Sequence, residues 1–391
     1  MTDASAELAR YTSRKGRRLA EDLIRDGGLA DVVASFSAAL GEIRKRPEAA
    51  VVVDGFGRIL WQHAVGFTAG EGRGRELPGD DDRPLYWARL AMLWELHEWR
   101  PRFRRDDAES AALARRLEWA SRGITSTTFG ADDEDVVKVL VSGFDPFRLT
   151  HDPAASNPSG AVALRLHGRT VRHAGRDVRF ATVVLPVRYA DFDGGVVEKV
   201  FGPHLRPGPH LVDLAATVSQ GRPGRFDLEL FNGRRRHSGT TRDNSGVVGG
   251  ADATAPVAPD SMPPGPEFTA STLPVDAMAE AETGGFPVHR NATVCQLSED
   301  GRPVERPGGP EGDGLSVSGG GGGFLSNEVA YRVTRLRDEL GAAVPCGHVH
   351  TPSLAGTGDD TPRLRTEIVT QTTALLLAAV AASPAGDPVT L

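Results

Sequence analysis

Cysteine is almost missing from this chain: there are two in 391 residues, Cys295 and Cys346, far apart and without a Cys-x-x-Cys or Cys/His spacing. That excludes a disulfide framework and a structural zinc site. No apolar run approaches the roughly 20 residues that span a bilayer. The first residues, Met1-Thr-Asp-Ala-Ser-Ala-Glu7, lack the charged-then-apolar order of a signal peptide. A cytoplasmic protein with no membrane partner is expected. An excess of positive charge is lacking too: 45 Lys and Arg stand against 52 Asp and Glu, a net charge of -7 with a pI near 5.9. This argues against a nucleic-acid partner. The local basic cluster Arg234-Arg-Arg-His237 reads as a solvated loop.

What is present suits a globular protein of more than one typical domain. The chain is 39% apolar, enough for a core, and 25% charged, with 46 glycines and 27 prolines to make turns. All five tryptophans, Trp61, Trp87, Trp94, Trp99 and Trp119, precede residue 120, so the chain changes character between there and Val136. Residues 1–130 form the first expected unit and 136–391 the second.

In the first unit, apolar positions at three- and four-residue spacing predict helices over 4–24, 28–46, 84–99 and 106–121. Ala50-Val-Val-Val-Asp-Gly-Phe-Gly-Arg-Ile-Leu-Trp61 predicts a hairpin turning at Asp54-Gly55. The run Gly79-Asp-Asp-Asp-Arg-Pro84 reads as a loop and helix start, since acidic residues favour a helix N-terminus. A calcium loop would need spaced carboxylates after it, and none follow. No chemistry is legible in residues 1–120.

The second unit opens after the acidic linker Asp132-Asp-Glu-Asp135 with Val136-Val-Lys-Val-Leu-Val-Ser142, which reads as a buried parallel strand. Further runs, Phe180 to Leu185 and Leu211 to Val218, follow helical segments at 158–167 and 191–201. Strand-helix-strand repetition predicts a mainly parallel sheet covered by helices, with a site at the carboxyl ends of its strands. Near the C-terminus, Ser318 precedes five glycines, then Phe324-Leu-Ser326-Asn327 opens a helix. Alone, this reads first as a flexible linker followed by a capping serine, and second as a backbone that passes close to a ligand.

Six pieces in order give the stretch a further meaning. They are Val141-Ser-Gly-Phe-Asp-Pro-Phe147, Asn157-Pro-Ser159, Leu185-Pro-Val187, Ser271-Thr-Leu-Pro-Val-Asp-Ala-Met278, Gly323-Phe-Leu-Ser-Asn-Glu-Val-Ala-Tyr331 and Gly347-His-Val-His-Thr-Pro352. Together they resemble the pyroglutamyl peptidase I (pyrrolidone-carboxylate peptidase) family of cysteine peptidases, over about 136–391. The resemblance implies an open α/β/α sandwich behind a mostly helical N-terminal region, and removal of an N-terminal pyroglutamyl residue from small peptides or related lactams. It implies no cofactor and no metal, and it carries an expectation of homo-oligomers that the N-terminal addition could cover.

Carried over by position, the family's Cys-His-Glu triad falls on Ser326, His350 and Glu229, with serine in place of the nucleophilic cysteine. The family's ring pocket falls on Phe144, Phe147, Phe324 and Leu325, and its glutamine-glycine loop on Gln220. Stretches 245–266 and 297–315 look inserted and are expected to be surface loops. The serine matters, because a thiol is partly thiolate at neutral pH whereas a hydroxyl must lose its proton to a base during attack. The same residues therefore admit a catalytically silent member that binds a lactam, peptide or partner protein. No Gly-x-Ser-x-Gly elbow is present to suggest an ordinary α/β-hydrolase. Cys346 reads as a buried inert thiol rather than a displaced nucleophile, and His348 with His350 share a strand face without a third metal ligand.

Overall fold

The computed structural model describes residues 5–70, 77, 79–130, 136–237, 239–250 and 252–383. Six helices make the N-terminal region: α1 (Ser5–Thr12), α2 (Arg14–Asp26), α3 (Ala30–Glu42), α4 (Arg46–Ala69), α5 (Arg83–Glu98) and α6 (Asp107–Ala120). Ser13 separates the first two because its hydroxyl accepts the Gly16 N–H and so begins a new helix. A capping box of Asp106 and Glu109 starts α6. Helix α5 is buried nearly all round, from Leu85 to Leu93, so the other helices pack about it.

The expected hairpin at residues 50–61 is not formed; α4 runs through it. Val51 to Val53 and Asp54-Gly55 favour a strand and a turn locally. Burial of Ala49, Val53, Gly57, Leu60, Trp61, Ala64 and Phe67 at helical spacing outweighs that preference. Gly57 sits so close to α6 that a Cβ there would lie 2.6 Å from the Ala120 Cβ.

The rest of the chain builds a seven-stranded sheet in the order β2-β3-β1-β4-β12-β5-β8. Its strands are β1 (Val137–Phe144), β2 (Thr170–His173), β3 (Arg176–Leu185), β4 (Leu214–Gln220), β5 (Phe226–Glu229), β8 (Val288–Asn291) and β12 (Cys346–Thr351). The pairs β3-β1, β1-β4, β4-β12 and β5-β8 are parallel, while β2-β3 and β12-β5 are antiparallel. Alternate residues of β1 serve opposite cores: Val139 and Val141 meet α7 (Pro158–Leu166) and α12 (Thr361–Ala382), whereas Leu140 and Phe144 meet α9 (Val196–Phe201) and α11 (Leu325–Glu339). An α/β/α sandwich behind a helical region is thus what the chain forms. Helices α8 (Tyr189–Asp193) and α9 answer to the segment expected at 191–201, and α10 is Val275–Glu280.

A two-stranded ribbon, β6 (Phe231–Gly233) with β7 (Phe268–Ala270), and a three-stranded sheet, β9 (Val294–Leu297) between β10 (Pro303–Arg306) and β11 (Ser316–Ser318), flank the main sheet. The segment 297–315 is therefore not a plain loop. It contains the edge strand β10, which pairs antiparallel with β9 from Pro303 opposite Leu297 to Arg306 opposite Val294, a pairing that its polar composition hides. Residues 245–266 form no helix or strand among those described. The acidic linker 132–135 lies outside the described residues. No helix among the described residues is long and apolar enough to cross a membrane.

Candidate active site

Three parallel strands, β1, β4 and β12, end at the same edge of the sheet, and each contributes to one corner there. Antiparallel pairing of β5 with β12 sets Glu229 opposite His348 and Asp227 opposite His350, so all four side chains share one face. The diagonal neighbours meet: His350 Nδ1 lies 2.7 Å from Glu229 Oε1, with both residues buried. Asn291 at the end of β8 donates its amide to Glu229 Oε2 at 2.8 Å, which fixes the second carboxylate oxygen.

The glycine run closes on this pair. A Cβ at Gly320 would fall 1.9 Å from Glu229 Oε2, and one at Gly321 would fall 3.3 Å from His350 Cε1 and 3.2 Å from the Asn327 nitrogen. Only a chain without side chains can pass there. From the other side, a Cβ at Gly221 would come within 2.7 Å of the His350 Cβ. The imidazole is therefore held between two glycine-bearing loops.

Phe324 caps α11, so Leu325, Ser326 and Asn327 form its first turn, whose N–H groups have no carbonyl within the helix to meet. Asn327 anchors that turn by accepting the Gly233 N–H at 2.8 Å and donating to the Gly233 carbonyl at 2.7 Å. Ser326 is half-buried, and its hydroxyl donates to the Gly321 carbonyl at 3.0 Å rather than to the imidazole. Ser326, His350 and Glu229 thus gather around Gly320 and Gly321.

A cleft of about 1000 Å³ opens beside them, lined by Ser326, Phe144, Phe147, Gln220, Phe324 and Leu325, every pocket residue expected from the sequence. Phe147 and Phe324 lie 5.1 Å apart between ring centroids, and Tyr189 meets Phe324 edge-on at 5.5 Å. Phe144 stacks on Phe192 at 6.3 Å and 7°. These contacts fix the rings before any ligand arrives.

Sequence reasoning missed what lies behind the phenylalanines. Asp145, between them, turns into the seam with the helical region and takes ion pairs from Arg89 and Arg122. Its carbonyl accepts the Asn157 amide at 2.9 Å, and the Pro146 carbonyl accepts the Asn244 amide at 3.0 Å. Arg122 also pairs with Glu118, which Arg188 shares with Glu7. Surrounding guanidiniums hold the Glu118 carboxyl far below its usual range against the opposing effect of burial. The run at 80–82 is likewise buried. Asp82 stands at the N-cap of α5 without a side-chain capping bond; its carboxylate instead accepts the Asn157 N–H at 2.8 Å, at the start of α7. Burial first, and then the neighbouring Asp81, push the Asp82 carboxyl up to about 6. The only signal in the sequence was three adjacent acids amid arginines.

One further expectation changes. The cluster Arg234 to Arg236 is not a solvated loop: Arg235 pairs with Glu267 at 2.8 Å, and Arg236 pairs with Glu328 at 2.6 Å and Asp193 at 2.8 Å. Its carboxylate partners come from distant segments, so nothing local announces them. Cys346 is buried at the start of β12, and burial pushes its thiol up to about 12. His348 is wholly buried, its ring nitrogens 2.7 Å from the Thr217 hydroxyl and 2.8 Å from that of Ser219. Burial, then His350, lowers its pKa well below the usual imidazole value.

Comparison with known proteins gives the following. A family model described as "PA0049 N-terminal domain" matches residues 1–118, and one described as "PA0049, C-terminal domain" matches residues 138–264 and 286–355. "Uncharacterized protein PA0049" of Pseudomonas aeruginosa strain PAO1 is 32% identical over 422 residues, covering 85% of this chain and 76% of that protein. Among solved structures, "Pf-PCP(1-204)-C" aligns with a TM-score of 0.44 and 20% identity over 62% of this chain and 96% of its own. Pyrrolidone carboxyl peptidase from the hyperthermophile Pyrococcus furiosus, solved with its cys-free mutant, aligns with a TM-score of 0.43 and 21% identity over 63% and 98%.

Proposed function

The chain belongs to the PA0049 family, and we propose that it is a pyroglutamyl-peptidase-like hydrolase cleaving the amide after an N-terminal pyroglutamyl or related lactam residue. The buried Glu229–His350 pair, 2.7 Å between Oε1 and Nδ1 and set against the first turn of α11, carries the reading. The ordered motifs that resemble the pyroglutamyl peptidase I family supply the substrate class.

In this mechanism Glu229 holds Nδ1, so Nε2 is the nitrogen that takes a proton. The Ser326 hydroxyl swings away from the Gly321 carbonyl, and Oγ bonds to the amide carbon as its proton passes to His350. His350 then gives that proton to the departing amine while the C–N bond breaks. Water, deprotonated by the same ring, releases the acid and restores Ser326. First-turn N–H groups of α11 face the oxygen that gains charge, and losing one such donor typically costs about 3 kcal/mol. Phe144, Phe147 and Phe324 enclose the flat lactam, and the Gln220 amide offers it a hydrogen bond.

The Ser326 hydrogen bond to Gly321 also favours a second reading, a silent member that binds the lactam without cleaving it. Purified protein assayed with a fluorogenic pyroglutamyl amide separates the two. Turnover above a Ser326→Ala control is expected, and its absence ends the peptidase reading. Calorimetric binding of pyroglutamate without turnover would favour the second reading. If Ser326→Cys then gains iodoacetamide-sensitive activity, the pocket is intact and only the nucleophile differs.

A further inference from the structure

Besides its phenylalanines, the cleft is lined by Arg83, Arg148, Arg222 and Arg365, against two exposed carboxylates, Asp152 and Asp359. The two arginines that stand out are Arg365 and Arg148. Arg365 is wholly buried and donates one hydrogen bond among the described residues, from Nη1 to the Ser156 hydroxyl at 3.1 Å; Nε and Nη2 donate none. Nη2 forms an ion pair with Asp81 at 3.2 Å, a carboxylate shared with Arg83, which holds it through Nε at 2.9 Å and Nη2 at 2.5 Å, so Nε is the donor left unmet. Asp82, the next acid, is engaged by the Ser156 hydroxyl and the Asn157 N–H. A buried guanidinium with a donor to spare is costly unless something else meets it.

Arg148 is the second anomaly. It follows Phe147 directly and adopts φ +64°, a left-handed conformation that a residue with a long side chain rarely holds. The backbone there is kept by its carbonyl, which accepts N–H groups from His151 and Asp152. Its guanidinium lies 5.8 Å from the Phe147 ring centroid and has no ion pair among the described residues. The conformation thus places a free cation beside the aromatic pocket.

We propose that these arginines form a carboxylate subsite, so that the favoured substrate is a pyroglutamyl or related lactam amide whose leaving amino acid or short peptide carries an acid near the scissile bond. The inference rests on the proposed function for the placement of the lactam among the phenylalanines. A planar guanidinium matches a carboxylate through two parallel hydrogen bonds, which distinguishes an acid from its amide isostere.

Binding to the Ser326→Ala protein tests this without chemistry. Calorimetry with pyroglutamyl-glutamate and with neutral pyroglutamyl-glutaminamide is expected to show the acid bound about tenfold more tightly at low salt, the effect of one charged hydrogen bond. Arg148→Gln, at an exposed position, should cut that ratio severalfold, and Arg365→Gln should abolish it if the protein folds. Equal affinities for acid and amide would overturn the subsite while leaving the lactam pocket standing. Binding of neither would remove the lactam reading and the subsite together.

Discussion

The helical region and the sheet region both bury ionised groups, but they do so in different settings. In the sheet region Glu229 and His350 pair at the strand ends beside a cleft, with Ser326 in reach of the same glycine loop. In the helical region Arg89, Arg122, Glu118 and Glu7 pair across a seam, away from the cleft, onto Asp145 and Arg188. Yet Asp145 sits between Phe144 and Phe147, and Asp82 holds the start of α7. The helical region therefore braces the loop that carries the aromatic wall.

If that division holds, substitutions in the two regions should separate chemistry from stability. Ser326→Ala or His350→Ala should lower turnover by roughly 10⁴-fold or more, and Glu229→Gln by about 10⁴-fold. Urea midpoints should move little for Ser326→Ala, because it removes one part-buried hydrogen bond. Next in size, Arg122→Met leaves Glu118 and Asp145 short of a buried partner and should cost about 3–5 kcal/mol in urea unfolding. A loss below about 1 kcal/mol would mean the seam does not brace the wall.

Gly320→Ala sharpens the comparison from within the site. Its Cβ would need the space of Glu229 Oε2, so the carboxylate must shift and turnover should fall about 100-fold. The same substitution at Gly308, in a turn where a Cβ would meet nothing, is the steric control. Wild-type turnover from Gly320→Ala would remove Glu229 from the mechanism.

Smallest is a pH effect at Asp82. Its folded-state pKa, about 6, lies above the ordinary 3.8, so the folded protein holds this proton more tightly than the unfolded chain does. The resulting stability is fully present below about pH 4 and is lost as pH rises through about 6. Asp81 and Glu118, whose pKa values are lowered, act oppositely and lose their contribution as pH falls. The wild type minus Asp82→Asn difference isolates Asp82. It should decline between pH 4 and 7 with a slope of at most about 1.4 kcal/mol per pH unit. A flat difference would place Asp82 outside the buried network.

Local pattern accounts for what could be read in advance. The apolar run from Val137 and the helical spacing in α5 and α6 both act over a few residues. Two of the six motifs carry Ser326 and His350, whereas Glu229 lies outside all six and meets His350 through the pairing of β5 with β12. Local pattern misled at α4, where strand-favouring valines sit on a helix whose buried stripe faces α6.

Composition and periodicity were thus enough to settle the layered α/β architecture, since burying an apolar face leaves few arrangements open. They could not reveal that Asp145 answers to Arg89 and Arg122, that Arg236 answers to Glu328, or that Asp82 serves the start of another helix. Those pairs join residues tens of positions apart, and a charge discloses its partner only when folding has brought both out of water.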